Sequence, residues 1–405
     1  MRIEELEIRS LRSLWKDCFH DSKEYMDYYF KYKLKDNQIL ALFDQAEAVS
    51  MIHLNPFRLA MNHMPIRAHY IVGVATQEHH RKKGLMRRLL IQSMEKMHQD
   101  KVPFTYLMPA SDKIYTPFGF RYIYAQQRIH LAGQRKNSKM VEQSQKGFGT
   151  IEEQELVVQG LNDENRDLVV HYVNNLLKNS MQLYAIRTLS YYRRLQEEMK
   201  AAGGEIFVFT RNQEVVGVIP FMMEGDTAEV VECVIEKELT QEIMDRLLKE
   251  LIQFKVINKE GRDEELDVQI LESFFLDTNR ILEQYPEATL SQKPIIMARI
   301  TNIEECFRHI TFVEKDSFVL KIKDDIITEN NQSFLVHGSP KGCAVTQTSG
   351  EADVDITIED LASFLFGYMS IREMEKQKGT SLTVEGKRKL ANIKVIDKIY
   401  INEIV

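Results

Sequence analysis

Between residues 70 and 90 the chain reads Tyr-Ile-Val-Gly-Val-Ala-Thr-Gln-Glu-His-His-Arg-Lys-Lys-Gly-Leu-Met-Arg-Arg-Leu-Leu. The first seven residues are uncharged and mostly apolar or β-branched, as a buried strand requires. From Leu85 onward, Leu85, Met86, Leu89, Leu90, Met94 and Met97 recur at helical spacing and form one apolar stripe. A strand that turns directly into such a helix commits this region to a mixed α/β layer, because the stripe needs a sheet to cover. The turn between them holds Arg81, Lys82, Lys83 and Gly84. Helix N-termini present free N–H groups and partial positive charge, so a basic turn there suits a phosphate. Gly84 lets a ligand approach the backbone. The same residues also fit a plain solvated helix start.

The elements around this stretch repeat. Residues 4–19 are helical, and Asp21-Ser22 can cap a second helix bearing Tyr25, Tyr28, Tyr29 and Tyr32. Strand runs at 39–43, 48–54 and 57–61 follow, the first two joined by a hairpin loop at Asp44-Gln-Ala-Glu, and a longer strand at 66–76 enters the basic turn. A strand at 104–108, a loop at 109–120 and a strand at 122–130 complete the first domain. Residues 131–150 read as a polar linker. Helices at 164–178 and 190–202, strands at 206–210, 214–224 and 227–235, a helix at 240–254 and a strand at 265–270 then repeat the order. The counterpart of the basic turn, Glu236-Lys-Glu-Leu-Thr240, has no glycine and is acidic, which repels phosphate. The second domain therefore reads as a copy without ligand binding. Two prolines within 284–294 open a third unit, with strands at 311–323, 333–337 and 353–358 and an apolar helix at Leu361-Ala-Ser-Phe-Leu-Phe-Gly-Tyr. The expected division is 1–145, 146–286 and 287–405. The last residues, Ile-Tyr-Ile-Asn-Glu-Ile-Val405, are apolar and extended, and we expect them to be packed rather than frayed.

Composition narrows the function classes. A formal net charge of −7 argues against nucleic acid as the main partner. The four cysteines (Cys18, Cys233, Cys306 and Cys343) are far apart with no CxxC pair, which fits a reducing compartment and no zinc site. No apolar run approaches the ~20 residues needed to span a bilayer, and the charged start lacks a signal-peptide core. The expected location is the cytoplasm, with no membrane partner.

Val72-Gly-Val-Ala, followed by Arg81-x-x-Gly-x-x, resembles motif A of the GNAT acyltransferases, Arg/Gln-x-x-Gly-x-Gly/Ala, with Met86 standing where that family has Gly or Ala. The resemblance implies acetyl-CoA as co-substrate and no metal. Val72, Gly73 and Val74 would bond the pantetheine amides, and His80, Arg81, Lys82, Lys83, Gly84, Leu85 and Met86 would hold the pyrophosphate. Tyr115-Thr-Pro-Phe-Gly-Phe120 resembles the GNAT tyrosine turn, in which the hydroxyl protonates the leaving thiolate, and Ser111 would touch the cofactor through its backbone.

Across essentially all 405 residues the chain resembles the Eis (enhanced intracellular survival) family of bacterial N-acetyltransferases. That resemblance implies an α/β fold of mixed sheets: two tandem GNAT-like domains, the second degenerate, and a C-terminal sterol-carrier-protein-like α+β domain. It also implies that the C-terminal carboxylate, here that of Val405, enters the first domain's site as general base. The acceptor would be the amine of an aminoglycoside, a polyamine-like compound or a lysine, and the assembly a hexamer. His79 and His80 are alternative bases. Cys18 and Cys233 fit core packing better than nucleophilic roles, and Asp17, Asp21, Glu24 and Asp27 fit a solvated helix face as well as an acceptor site. The competing reading is a non-catalytic protein that binds an apolar ligand or acyl-CoA through its sterol-carrier-like domain.

Overall fold

The computed structural model describes residues 5–134, 156–258 and 265–403. The linker expected at 131–150 therefore lies mostly outside the described residues. The chain divides into two compact units, one comprising 1–125, 180–186 and 294–405, the other 126–179 and 187–293.

The first unit begins with helix α1 (Glu5–Phe19), whose Leu11, Leu14 and Trp15 are buried at helical spacing. Helix α2 (Lys23–Tyr28) is capped by the Ser22 hydroxyl, which accepts from the Tyr25 N–H at 3.1 Å. Strands β1 (Gln38–Asp44), β2 (Glu47–Met61) and β3 (Met64–Thr76) form an antiparallel meander. The sequence expectation of a break between 54 and 57 fails, because β2 runs unbroken through Pro56. Its β1 partners end at Leu54 and its partners in the short strand Leu183–Ala185 begin at Leu59. Pro56 thus falls where no strand pairs on that side, so its missing N–H costs no ladder bond. The strand Leu183–Ala185 was itself not expected from the sequence.

Helix α3 (Leu85–Gln99) buries Leu89, Leu90, Met94 and Met97 against Ile52, Leu54 and Ile71 of the meander. At ~1.5–3 kcal/mol per buried side chain, this stripe supplies much of the local stability. Strand β4 (Phe104–Leu107) lies parallel to β3 and antiparallel to Met297–Ile300. The loop expected at 109–120 contains a short helix, α4 (Asp112–Tyr115), and one 3-10 turn. The same unit holds a five-stranded sheet in the order Gly342–Gln347, Ser333–Ser339, Asp316–Lys323, Val354–Thr357, Ser381–Leu382, with the helix Ile358–Leu365 after its fourth member. The run expected at 311–323 is two strands rather than one.

Arg299 and Asp324 tie these parts together. Their 2.7 Å ion pair is almost wholly buried. Asp324 also accepts from the Ile326 and Ile327 N–H groups and from Asn330 Nδ2. Gly119, at φ +75°, lies so close that an added Cβ would sit 2.2 Å from Arg299 Nη1. The guanidinium therefore underlies the turn that carries Tyr115.

The second unit repeats the element order, and in it 266–270 lies between 129–134 and 227–230, followed by 214–224, 205–211 and 157–160. The strand expected over 227–235 is interrupted at 231–233. Its turn before the helix Thr240–Asn258 is bonded to its own chain: Thr240 Oγ1 donates to the Lys237 carbonyl and accepts from the Asp277 N–H, and Arg280 reaches the Glu238 carbonyl. Arg187 and Glu232 form a buried pair at 2.8 Å.

Arg299→Leu, which strands the Asp324 charge, is expected to lower stability by about 3–5 kcal/mol. Arg299→Leu/Asp324→Asn, which removes that charge but keeps an amide oxygen to accept from the Ile326 and Ile327 N–H groups, should be less destabilised than the single variant. Denaturant unfolding of the three chains checks both.

Candidate active site

The site begins where β3 and β4 part. Their parallel pairing covers His69↔Thr105 and Tyr70↔Tyr106. Beyond it, β3 continues to Thr76 against β2, while Leu107 pairs with Met297 on its other side. The facing edges of 71–76 and 107 are left without a common ladder. An extended ligand with amide groups could bond to such edges as a strand does. Val72, Gly73 and Val74 lie on the β3 side of this wedge.

Gly73 shapes the wedge. The β2–β3 register spends three steps on β3 (Ala75 to Val72) for two on β2 (Met51 to His53), which is a bulge at Gly73–Val74. Gly73 has φ +59°, and a Cβ on it would lie 2.5 Å from the Trp15 ring. Both the backbone conformation and the space require glycine.

The basic turn closes the open end of β3. Arg81 Nε donates to the Thr76 carbonyl at 3.1 Å. Lys82 (φ +60°) and Gly84 (φ +77°) are left-handed, and Gly84 caps α3. The first intrahelical bond runs from the Arg88 N–H to the Gly84 carbonyl, so the Leu85, Met86 and Arg87 amides precede the ladder. Arg81, Lys82, Lys83 and Gly84 are exposed, Leu85 and Met86 half-buried, and the first turn of α3 has no acidic residue. Free amides, helix dipole and four nearby cations, with Arg87 the fourth, therefore act in one direction. His80 stays close, its Nε2 3.5 Å from Asp44 Oδ2, whereas His79 is exposed.

Tyr115 ends α4 and shares an apolar cluster with Leu107 and Phe118, against which Val74 and Met86 pack. Burial alone pushes its phenol up to about 12. Ser111 precedes α4 in extended conformation and is half-buried. Of the sequence-derived candidates, Val74, Met86 and Tyr115, from β3, α3 and α4, thus meet in one cluster, with the basic turn at the start of α3.

Val405 lies outside the described residues. The segment leading to it is packed: Ile399 and Tyr400 pair in parallel with Leu183 and Tyr184, and Ile401, Asn402 and Glu403 are buried. Leu183–Ala185 runs antiparallel to β2, with Tyr184 opposite Ala60. The pair Ile399–Tyr400 thus runs in the direction that leads along β2 from Met61 to Ala60.

Sequence reasoning did not single out His53 and Asn55 of β2, because alternation along a strand does not say which elements cover each face. Both are buried, on the face opposite α3, beneath Trp15 and Tyr29. Burial pushes the His53 imidazole down to about 3. A cluster of tyrosines in α2 above an Ile-His-Leu-Asn strand was the available signal. Of the acidic residues on the first helices, Asp21 accepts from Trp15 Nε1 at 2.7 Å, and Asp27 pairs with Arg12 and Lys23. Asp17 and Glu24 are exposed. Cys233 is fully buried, which raises its thiol far above the usual range, and Cys18 is half-buried. Among the described residues no three metal-ligating side chains cluster, and no helix is long and apolar enough to cross a membrane.

Residues 1–123 match the family of acetyltransferase (GNAT) domains, and residues 303–393 match that of sterol carrier protein domains. No curated protein matches the chain in sequence. Among solved structures, a GCN5-related N-acetyltransferase from Anabaena variabilis superposes with a TM-score of 0.76 at 14% identity, covering 100% of this chain and 99% of its own. Eis1 from Mycobacterium abscessus does so with a TM-score of 0.71 at 11% identity, covering 100% and 99%. A conserved protein from Enterococcus faecalis reaches 0.77 at 15% identity, again covering 100% and 99%. At these identities the likeness is one of fold. The chain carries an acetyltransferase (GNAT) domain over residues 1–123, which makes it an acyl-transfer enzyme, and a sterol carrier protein domain over residues 303–393.

Proposed function

We propose that this chain is an Eis-type N-acetyltransferase that moves acetyl from acetyl-CoA to a primary amine by direct attack. The observation that carries this reading is the wedge between β3 and β4, which opens beside an exposed basic helix start. Val72, Gly73 and Val74 would bond the pantetheine arm. The Leu85 and Met86 amides, with His80, Arg81, Lys82, Lys83 and Gly84, would hold the pyrophosphate. Ser111 would meet the cofactor through its backbone.

In the reaction, the amine nitrogen forms a bond to the thioester carbonyl carbon as the carbon–sulfur bond breaks. The amine gives up a proton, and the thiolate gains one. Tyr115 supplies the second proton, since its raised pKa keeps the phenol intact at neutral pH. The Val405 carboxylate takes the first, directly or through water. With an ordinary pKa of about 3.5 it is a weak base, so holding the cationic amine is part of its work. The direction of Ile399–Tyr400 along β2 supports its arrival from the far end of the chain. A hexameric assembly, a cytoplasmic location, a lysine or small-molecule amine acceptor, and the division at 1–145, 146–286 and 287–405 belong to the same reading, on the strength of the resemblance.

Thiol release from acetyl-CoA, measured with a panel of aminoglycosides, polyamines and lysine peptides, tests the reaction; no release with any amine would refute it. Tyr115→Phe is expected to lower kcat roughly 100-fold or more with little change in KM for acetyl-CoA. An unchanged kcat would make Tyr115 a packing residue. Because the phenol's pKa is raised above its ordinary value, the acid form persists as pH rises, and kcat should show no alkaline fall up to about pH 10. A bulky extension after Val405 should abolish transfer while the CoA-induced rise in melting temperature persists; full activity would exclude the carboxylate.

A further inference from the structure

Tyr115 ends a helix of only four residues, Asp112–Tyr115, which is continued by one 3-10 turn, Thr116–Phe118. A helix this short does not hold itself in water. Two backbone bonds close its far end: the Gly119 N–H donates to the Thr116 carbonyl at 3.1 Å, and the Phe120 N–H to the Tyr115 carbonyl at 3.4 Å. Arg121, the first residue of the strand Arg121–Gln134, adds a staple from its side chain. Its Nη1 donates to the Phe120 carbonyl at 2.9 Å and to the Thr116 carbonyl at 3.3 Å. One nitrogen thus ties the start of the 3-10 turn to the residue that leads out of it. Thr116 follows Tyr115 directly, so the staple fixes the backbone beside the phenol's own Cα.

The other end of this guanidinium is held by the sterol carrier protein domain. Arg121 Nη2 lies 3.4 Å from Glu359 Oε1, and the two side chains are 28% and 25% exposed. Glu359 stands in the first turn of the helix Ile358–Leu365, where the helix dipole favours a carboxylate. The Thr357 hydroxyl caps that helix by accepting from the Asp360 N–H. The same helix start meets the tyrosine turn a second time, since a Cβ on Gly119 would lie 3.4 Å from Ile358 Cγ2. Farther along the helix, Ser363 Oγ donates to the Tyr122 carbonyl at 3.3 Å. Ile358, Glu359 and Ser363 thus brace the chain at 119–122, immediately after the turn.

Resting on the acetyl-transfer reading, we propose that Arg121 positions Tyr115 for proton donation, and that Glu359 of the sterol carrier protein domain orients Arg121. Both are positioning residues. Proton donation needs the phenol within hydrogen-bond reach of the leaving sulfur, and a misplacement of about 1 Å can slow an enzyme ~100-fold. Partly exposed ion pairs contribute little to folding, so the effect of this one lies in where it holds the turn. Arg299 also lies against Gly119, but its buried pairing with Asp324 makes folding depend on it as well. Arg121 separates the two roles. The sterol carrier protein domain then has a part in catalysis that requires no apolar ligand: it is the brace of the general acid.

The test is thiol release by the full-length chain, with saturating acetyl-CoA and the amine of the panel that releases most thiol. Arg121→Met should lower kcat roughly 10-fold, with KM for acetyl-CoA and the melting temperature close to those of the unaltered chain. Glu359→Ala should lower kcat about 3-fold, and Glu359→Gln, which keeps an amide oxygen for Arg121, should recover most of that loss. The deciding comparison is made on Tyr115→Phe. With the phenol gone, Arg121→Met should lower kcat no further, because a residue that acts through Tyr115 has nothing left to position. An unchanged kcat in Arg121→Met, or an equal loss with and without the phenol, would overturn the proposal. Should Arg121→Met not fold, Glu359→Ala is combined with Tyr115→Phe in the same way and decides. If the unaltered chain releases no thiol, the acetyl-transfer reading fails, and NMR judges the staple by itself. The Tyr115 ring resonance, assigned by its loss in Tyr115→Phe, must then move in Arg121→Met and Glu359→Ala, and a resonance unmoved in both ends the positioning role.

Discussion

The site depends on a limit to strand pairing. β3 and β4 share two residue pairs and then take different partners, β2 for one and Met297–Ile300 for the other. Backbone N–H and C=O groups that lose a ladder partner must find another. At the wedge those groups have no common ladder, and Gly73 shapes the β3 edge by absorbing one extra residue into a bulge where a Cβ would meet Trp15. The basic turn, α3 and Tyr115 matter because of where this wedge lies.

The two units show how one element order serves different ends. In the first, the turn before α3 has one left-handed lysine and one left-handed glycine, no acid in the helix's first turn, and helix amides that precede the ladder. In the second, the equivalent helix start is tied by Thr240 and Arg280 to its own chain, and Arg187–Glu232 is a buried pair. An acidic turn already bonded to itself has neither the charge nor the free donors for an anion. The architecture tolerates both, so the exposed basic turn is not a requirement of folding.

The basic helix start was legible because it is local. Arg81 through Met86 are consecutive, and a helix start creates its own anion site from its own backbone. Tyr115 and Gly119 were legible for the same reason, as one turn. Arg299–Asp324 was not, because nothing near Gly119 in sequence announces that a guanidinium from 180 residues later will lie against it. Nor was β2's passage through Pro56, which depends on a gap between two neighbouring strands.

By itself, the sequence determined the order of helices and strands, the stripe that packs α3, and a turn able to hold phosphate, since each follows from residue spacing and backbone chemistry within a few residues. Tertiary structure alone decided which face of β2 became polar and enclosed, how Asn37, Tyr29 and His53 are joined by hydrogen bonds, and where Ile399 and Tyr400 pair. Alternation along a strand says that two faces differ, but not which elements cover each. Ile52-His-Leu-Asn55 reads as half solvated until Trp15 and Tyr29 are laid across it. Burial then keeps this histidine uncharged, because the low-dielectric enclosure disfavours the imidazolium.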